Sequence, residues 1–301
     1  MNPKFLFSIV IPTYNQCDYL EIAINSVLDQ KENYEIIIID NYSTDGTERL
    51  VKSFNNKNIN YFKIKNEGVI GTSRNLGINY AKGSWIAFLD SDDFWFKDKL
   101  ETVEKFIKAN PSFDVITNDE EIIYEGSKNK TVWKYGPFTK NFYKKLLLDG
   151  NCISTSASVV KKSFLDQHNI FFSEKKTFAS VEDYDFFLNL ALNGAKFKFI
   201  HTPLGRHLYH KKSFSRNLER HHNALKEVLL YHLENKQRFT KNLESLKKRI
   251  NANISINYAL AEIQYNKNII KAFKILIKSF AINHFYLIER IIKKLYIRLR
   301  F

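Results

Sequence analysis

Three carboxylates lie within four residues in the segment Asp90-Ser91-Asp92-Asp93. Carboxylates this close together repel one another unless a cation occupies the space between them. Hard oxygen ligands suit Mg²⁺ or Mn²⁺, and either ion can bridge the phosphates of a nucleotide. The alternative is a solvated acidic turn that caps the next helix, since Asp is a favoured N-cap residue. The position of the cluster, directly after an apolar run, favours the metal site.

The segments around this cluster alternate between strand-like and helix-like patterns. Short apolar runs, typical of strands buried on both faces, occur at 7–11, 35–39, 61–64 and 85–89. Apolar residues recur at helical spacing in 18–30 and 71–81, and a turn and cap cluster at 43–47 opens another helix. The alternation predicts an α/β fold with a mostly parallel sheet flanked by helices.

Polar residues gather where three of these predicted strands end. They are Pro12, Thr13, Tyr14 and Asn15 after the first strand, Asp40 and Asn41 after the second, and the acidic cluster after the fourth. In sheets of this kind, ligands bind beyond the carboxyl ends of the strands. The sequence therefore predicts a ligand site at this edge, with the metal site as part of it.

Length and composition exclude several classes of protein. A chain of 301 residues with 44% apolar residues suits one large domain, or one domain with a helical appendage. Cys17 and Cys152 have neither a metal-ligand nor a redox spacing, so we expect reduced thiols. Residues 1–7 are too short for a signal peptide, and no apolar run is long enough to predict a membrane-spanning helix. The glycine motifs of dehydrogenases and P-loop enzymes do not occur.

The net charge of +14 is concentrated in the last third of the chain. Residues 205–301 contain 21 Lys and Arg against 6 Glu and no Asp, which leaves the first 204 residues close to neutral. A basic region of this kind favours anionic partners. Lys271, Lys274, Lys278, Arg290, Lys293, Lys294 and Arg298 are spaced so that many of these cations share one helical face, with Phe273, Ile277 and Phe280 nearer the other. This pattern predicts a helix on an anionic membrane surface, with packing on a neighbouring helix or a dimer contact as the alternative.

Four linked blocks of sequence resemble family 2 glycosyltransferases of the GT-A fold. They are SIVIPTYNQCDYLEIAINSVLDQ at 8–30, YEIIIIDNYSTDGT at 34–47, NEGVIGTSRNLGINYAKGSWIAFLDSDD at 66–93 and VEDYDFFLNLALNG at 181–194. The resemblance covers about residues 5–217. It implies a GT-A glycosyltransferase domain at 1–217, followed by a basic helical C-terminal region at 218–301.

The resemblance implies a donor-binding role for the matching residues in the first half of the chain. Pro12, Thr13 and Tyr14 would line a nucleoside pocket, Asp40 would hydrogen-bond the base or ribose, and Arg74 would lie near the ribose or diphosphate. Asp90, Ser91 and Asp92 would form the Asp-X-Asp motif that holds the ribose and a Mn²⁺ or Mg²⁺ ion, and Asp93 would replace or support either acid. Many members have a second acid where this chain has Asn41, so the base that is recognised stays open.

The resemblance also implies roles for Asp183 and His210. In the family, the Asp of the Glu182-Asp183 pair is the catalytic base, whereas acids at a helix N-terminus also have a structural explanation in the helix dipole. Asp185 faces another side of that predicted helix and is expected to take no part. His210 matches a family histidine that can contact the metal or diphosphate, although His207 and Leu208 stand where members often have Tyr-Arg.

The function implied is inverting, metal-dependent transfer of a sugar from a nucleotide sugar, with a UDP-sugar favoured, to a hydroxyl of a glycan or lipid-linked glycan. The expected setting is bacterial surface-polysaccharide assembly in the cytoplasm, at the inner face of the membrane, with a homo-oligomer possible. Three alternatives remain: a nucleotidyltransferase, a pseudoenzyme that binds sugar nucleotides, and, more remotely, a nucleic-acid-binding protein that uses the basic tail. We expect no nucleic-acid partner.

Overall fold

The computed structural model describes residues 5–127, 130–210 and 217–298. Nine strands form one sheet in these residues: β1 Phe5–Thr13, β2 Tyr34–Asp40, β3 Ile59–Lys63, β4 Gly83–Phe88, β5 Phe94–Trp95, β6 Val115–Tyr124, β7 Lys130–Trp133, β8 Val159–Lys161 and β9 Phe197–Tyr209. The α-helices are α1 Cys17–Leu28, α2 Thr47–Ser53, α3 Ile70–Tyr80, α4 Lys99–Ala109, α5 Phe142–Asp149, α6 Lys162–His168, α7 Glu182–Leu192, α8 Leu218–Asn235, α9 Leu243–Asn266 and α10 Ile269–Arg298. A 3₁₀ turn, Lys176–Phe178, precedes α7.

The sheet has a parallel half and a mixed half. The strand order is β3-β2-β1-β4-β8-β6-β9-β5, and β7 pairs with β6. The first four strands in this order are parallel, as the sequence predicts, and their carboxyl ends meet at one edge. Beyond β4, strand β8 runs antiparallel to both of its neighbours, whereas β9 runs parallel to β6. This half is mixed because β8 runs against β4 and β6, and β5 runs against β9; β7 adds an antiparallel hairpin to β6.

Helices cover both faces of the sheet because successive side chains of a strand point to opposite sides. In β1, Ile9 and Ile11 pack with residues of α1, α2 and α4, whereas Val10 lies in a second cluster with residues of α3, α5, α6 and α7. All seven residues of β2 are buried, which explains its uninterrupted apolar run. The result is an α/β/α sandwich whose site edge belongs to the parallel half.

The helices after residue 217 belong to the same core. Asn217 caps α8 by accepting a hydrogen bond from the Arg220 N–H. Val228 of α8 and Ile254 of α9 lie in the cluster that covers one face of the sheet. The predicted division into 1–217 and 218–301 therefore falls at the start of helices that share the core of the sheet.

Helix α10 packs on α9 as an antiparallel hairpin arm, with Leu276 and Tyr286 against Ala252 and Ile256. The side chains of Arg290, Lys293, Lys294 and Arg298 lie outside the described part of the structure. Among the described helices, none combines the length and the apolar character needed to cross a bilayer.

We expect Gly77→Ala to destabilise the protein, because α3 lies directly on β1 at this glycine. A Cβ atom at Gly77 would lie 2.3 Å from Cγ1 of Val10, which is fully buried. Overpacking of this kind costs about 1–3 kcal/mol. Urea unfolding should show the loss, whereas Asn79→Ala, at an exposed position of the same helix, should stay within about 0.5 kcal/mol of the wild type. Equal stability of the two variants would contradict this packing.

Candidate active site

A cleft of about 590 Å³ opens at the carboxyl edge of the parallel strands. The predicted site residues that line it are Pro12, Thr13, Tyr14, Asn41, Arg74, Asp90, Ser91, Asp92 and Asp183. Asp40, Asp93 and His210 do not line it but lie in the elements directly behind it. The fold thus brings residues from β1, β2, β4 and α7 into one cleft, although more than 160 residues of sequence separate its ends.

The end of the cleft after β1 and β2 is polar and partly open. Tyr14 is 56% exposed there. The Asn41 side-chain oxygen accepts a hydrogen bond from the Asn66 N–H at 3.0 Å, which fixes the amide beside the cleft. The buried Thr13 hydroxyl has no partner within the described residues. Since buried polar atoms are nearly always paired, this hydroxyl is suited to a ligand.

Asp40 lies behind this wall and is fully buried. One carboxylate oxygen accepts hydrogen bonds from the Ser43 N–H at 2.9 Å and hydroxyl at 2.6 Å, and the other accepts from the Tyr61 hydroxyl at 2.5 Å. Burial and the bond to Asp40 raise the pKa of Tyr61 well above its usual value. Protein donors thus surround Asp40, whereas Asn41 lines the cleft itself.

Arg74 joins the two halves of the cleft. Its guanidinium contacts Asp90 at 2.6 Å and Glu182 at 2.9 Å, and it lies over the Phe172 ring. The Arg74 side chain is only 5% exposed, so these two ion pairs lie in a region of low dielectric. Its Nε has no partner in the described part of the chain. The residue predicted to contact the donor therefore also fixes the end of β4 relative to the start of α7.

Asp183 faces the cleft from the first turn of α7. Burial raises the pKa of its carboxyl group, while the positive charge of Arg74 acts in the opposite direction. The Thr155 hydroxyl lies 3.4 Å from the carboxylate. Asp185 points elsewhere, to His232 of α8 at 2.9 Å. A half-buried carboxylate whose pKa is raised, in the wall of a cleft, has the character of a general base.

Asp93 supports the acidic cluster from behind and is buried. It accepts hydrogen bonds from the Ser156 hydroxyl at 2.5 Å and the Leu208 N–H at 3.0 Å, and it contacts Nδ1 of His207 at 3.0 Å. Burial lowers the pKa of His207, but the charge and hydrogen bond of Asp93, together with the charges of Glu120 and Asp92, outweigh this effect and raise the pKa to about 10. The two positions that depart from the family pattern, His207 and Leu208, thus attach β9 to Asp93.

This attachment brings His210 to the acidic cluster. Nε2 of His210 lies 2.8 Å from the Asp92 carboxylate, and its ring stacks on Tyr19. His210 is almost fully buried, whereas the Asp92 side chain is 18% exposed and reaches the cleft. The imidazole therefore fixes the orientation of this carboxylate.

Asp92 and His210 fit a divalent cation whose remaining ligands come from a substrate. Across the described ranges, no three His, Cys, Asp or Glu side chains form a metal cluster by themselves. The Asp92 carboxylate suits Mn²⁺ or Mg²⁺, and Mg²⁺ binds through one or two carboxylates together with substrate phosphates. Asp90 already pairs with Arg74, and Asp93 is surrounded by protein donors. Of the three clustered acids, Asp92 is thus best placed to meet the ion.

Several residues of the cleft were missed by sequence reasoning. Helix α8 contributes His221, Leu225 and Leu229, and α9 contributes Ile254 and Asn257. The spacing of four residues in α8 is visible in the sequence, but any helix with one buried face shows it. No local signal distinguishes a helix that lines a cleft from one that only covers a core.

The chain matches the family model described as Glycosyl transferase family 2 over residues 8–168. This range is more than half of the chain and includes the first four strands and the acidic cluster. The chain therefore belongs to glycosyl transferase family 2, as its sequence blocks predict.

Individual proteins support this assignment. Over 191 residues the chain is 35% identical to the Escherichia coli protein named UDP-Glc:alpha-D-GlcNAc-diphosphoundecaprenol beta-1,3-glucosyltransferase WfgD, covering 62% of this chain and 70% of WfgD. Staphylococcus aureus TarS 1–349 in complex with UDP-GlcNAc superposes with a TM-score of 0.61 at 20% identity, covering 88% of this chain and 73% of TarS 1–349. The mannosyltransferase PcManGT of Pyrobaculum calidifontis, in complex with GDP-Man and Mn²⁺, gives 0.59 at 15% identity and covers 99% of this chain and 81% of its own. These structures show that the chain has the GT-A fold.

Other relatives are much longer than the matched region. Uncharacterized glycosyltransferases of Rickettsia bellii and Rickettsia felis are 37% and 39% identical over 166 residues. That region is 54% of this chain but only 24% and 27% of those proteins. The chain thus spans about a quarter of the length of these two relatives.

We expect Arg74→Gln to destabilise the protein strongly, because it leaves two acids without their cation. Breaking a buried ion pair by removing one partner costs about 3–5 kcal/mol. Lys176→Gln is the matched control, since Lys176 and Glu67 form an exposed pair worth at most about 1 kcal/mol. Chemical unfolding of both variants measures the difference. Similar losses in the two variants would mean that the Arg74 pairs are not buried in solution.

Proposed function

We propose that this protein is an inverting glycosyltransferase in which Asp183 is the catalytic base. The observation that carries the proposal is that Asp183 and the acidic cluster line the same cleft and that Arg74 links their elements. The acceptor hydroxyl attacks the anomeric carbon of the donor sugar, and its proton passes to the Asp183 carboxylate. The bond from the anomeric carbon to the diphosphate oxygen breaks, and the nucleoside diphosphate leaves with the electron pair. Attack from the face opposite the leaving group inverts the anomeric configuration.

The donor is a nucleotide sugar, with a UDP-sugar favoured. The names of WfgD and of the TarS complex both include a UDP-sugar, which supports this preference. The nucleoside would lie at the Thr13 and Asn41 end of the cleft, and the diphosphate would lie beside Asp90 and Asp92. The free Thr13 hydroxyl and the Asn41 amide offer hydrogen bonds to the nucleoside.

A Mn²⁺ or Mg²⁺ ion would be held by Asp92 and His210, with Asp90 nearby. When bound, the ion neutralises negative charge on the departing diphosphate. PcManGT, which shares the fold, forms a complex with GDP-Man and Mn²⁺, and this supports the choice of cofactor. The protein's own part is to hold Asp92 in place through His210 and Asp93.

The acceptor is a hydroxyl of a glycan or lipid-linked glycan, in the assembly of a bacterial surface polysaccharide. The support comes from the names of two relatives, which include a diphosphoundecaprenol acceptor for WfgD and poly(ribitol-phosphate) for TarS. The enzyme would work in the cytoplasm, at the inner face of the membrane.

We expect Asp183→Asn and Asp92→Ala to separate catalysis from donor binding. In thermal shift assays, UDP with Mn²⁺ should stabilise the wild type and Asp183→Asn, but not Asp92→Ala, because only the latter loses a metal ligand. Transfer or donor hydrolysis should fall by a factor of about 10²–10⁴ in Asp183→Asn, since the amide cannot accept the proton. Because burial raises the pKa of Asp183, wild-type activity should rise with pH through that raised value, as the base loses its proton.

The control is Asp166→Asn, whose carboxylate pairs with Lys162 at the surface and should leave all these measurements unchanged. Full activity of Asp183→Asn would rule out its role as the base. The wild type should also be tested with a panel of UDP-, GDP- and dTDP-sugars. If it binds a donor but turns none over, the protein is instead a pseudoenzyme.

Helix α10 has a surface suited to an anionic bilayer. Ile270, Phe273, Ile277 and Phe280 repeat every three or four residues, so they share one face of the helix, and each is more than half exposed. Lys274 and Lys278 are exposed on the adjoining face. The positive flank favours anionic lipid over a second copy of the chain, because two such flanks would repel each other in a symmetric dimer. The protein would therefore be peripheral, with α10 in the plane of the interface.

We expect the protein to sediment with vesicles that contain phosphatidylglycerol but not with pure phosphatidylcholine vesicles. Phe273→Ser with Ile277→Ser should weaken binding because it removes apolar area, and Lys274→Glu with Lys278→Glu should do so through charge. Lys31→Glu with Lys57→Glu, at exposed positions far from α10 in sequence, is the charge-matched control. If the serine variant instead converts a dimer to a monomer in ultracentrifugation, the face is a contact between copies.

A further inference from the structure

The cleft continues past Asp183 into a chamber between α5, α8 and α9. His221, Leu225 and Leu229 lie four residues apart and therefore line it along one face of α8. The His222 ring stacks on Tyr258 at 4.5 Å, which places the N-terminal end of α8 beside the C-terminal half of α9. The chamber thus begins beside α7, which carries the proposed base, and runs along α8.

The end of the chamber next to α7 carries two polar atoms without protein partners. Oγ of Ser180 and Nδ1 of His221 are buried, and neither has a hydrogen-bond partner among the described residues. Ser180 also has φ +84°, a left-handed conformation that L-residues adopt rarely. Burial lowers the pKa of His221, while a hydrogen bond to the Ser180 backbone acts in the opposite direction, and the unpaired Nδ1 can donate or accept according to the tautomer. Unpaired buried atoms and local strain beside a cleft indicate a place for ligand hydroxyls.

The other end of the chamber is aliphatic. The residues that line it are Leu147, Leu148, Leu225, Leu229, Ile250 and Ile254. Asp149 and Asn253 also line the cleft, but the Asp149 carboxylate pairs with Arg249 and the Asn253 side-chain N–H donates to the Leu148 carbonyl oxygen. Against these leucine and isoleucine side chains, the hydroxyls of a sugar ring would lose their hydrogen bonds to water and gain none in return. A hydrocarbon chain has no hydrogen bonds to lose there, and its removal from water is favourable.

We propose that this chamber is the acceptor subsite and that the acceptor is a glycoside with an apolar aglycone. Ser180 and His221 contact hydroxyls of the acceptor sugar beside Asp183, and the aliphatic end holds the first part of the aglycone. The proposal rests on the proposed function, because it assigns the other substrate of the same cleft. It selects an amphiphilic acceptor over a wholly polar polymer.

The test of the aliphatic end is the binding of methyl, butyl and octyl N-acetylglucosaminides in the presence of UDP and Mn²⁺, measured below the micelle concentration. We expect Kd to fall by about two- to fourfold for each methylene group that is buried. Leu225→Asn and Leu225→Trp should both remove the dependence of Kd on chain length. The asparagine makes the wall polar, and the tryptophan fills the chamber. Leu225 is only half-buried, so both variants should fold.

Phe273→Ser in α10 is the control, because alkyl chains could also bind to that exposed face. It should leave the dependence on chain length unchanged. A Kd that does not change with chain length, or a dependence that survives both Leu225 variants, would overturn the proposal. Donor hydrolysis by the wild type in the absence of a glycoside reports separately on the proposed function.

The polar end is tested with Ser180→Ala and His221→Phe. Each should weaken the binding of all three glycosides by the same factor, about three- to tenfold, because each loses a hydrogen bond to the shared sugar. Ser279→Ala is the matched control, since Ser279 also has a buried unpaired hydroxyl but lies in α10, outside the cleft. Wild-type affinity in both polar-end variants, or an equal loss in Ser279→Ala, would show that these atoms do not contact the acceptor.

Discussion

The arrangement of this cleft depends on one buried cation. Arg74 reaches from α3 to Asp90 at the end of β4 and to Glu182 at the start of α7. Removing a guanidinium from water is costly, and the cost is offset only while both carboxylates keep their positions. The same charge opposes the effect of burial on the pKa of Asp183. A single side chain therefore sets the geometry between the acidic cluster and the proposed base, and it also moderates the basicity of that base.

The three acids of the cluster differ in burial and therefore in what they contact. Asp93 is buried and holds β9 through His207 and the Leu208 N–H, whereas Asp90 and Asp92 keep part of their surface in the cleft. Because β9 is fixed in this way, His210 meets Asp92. Asp93 thus stabilises the fold, and Asp90 and Asp92 remain accessible to a ligand.

The sequence predicted the parallel half of the fold because its signals are local. Apolar runs and helical stripes locate β1 to β4 and the helices between them to within a few residues, and the acids at the strand ends follow from those limits. The separate roles of Asp92 and Asp93 could not be predicted, because they depend on His207 and His210, more than 110 residues away. Asp93 contacts the backbone N–H of Leu208, and every residue except proline has such a group, so the residue type at 208 does not predict this contact. The chain departs from the family pattern at 207–208, and there the structure attaches β9 to Asp93.

The C-terminal helices pack on the sheet although their charge differs from that of the preceding chain. The charge changes abruptly near residue 205, yet α8 and α9 bury Val228 and Ile254 in the core of the sheet. Among the described C-terminal helices, α10 has the most exposed apolar face, and it packs on α9, which also lines the chamber through Ile254. The face proposed for the bilayer and the chamber proposed for the aglycone therefore lie on adjacent helices of one hairpin. An amphiphilic acceptor would require this proximity, because its hydrocarbon part stays in the membrane while its sugar must reach Asp183.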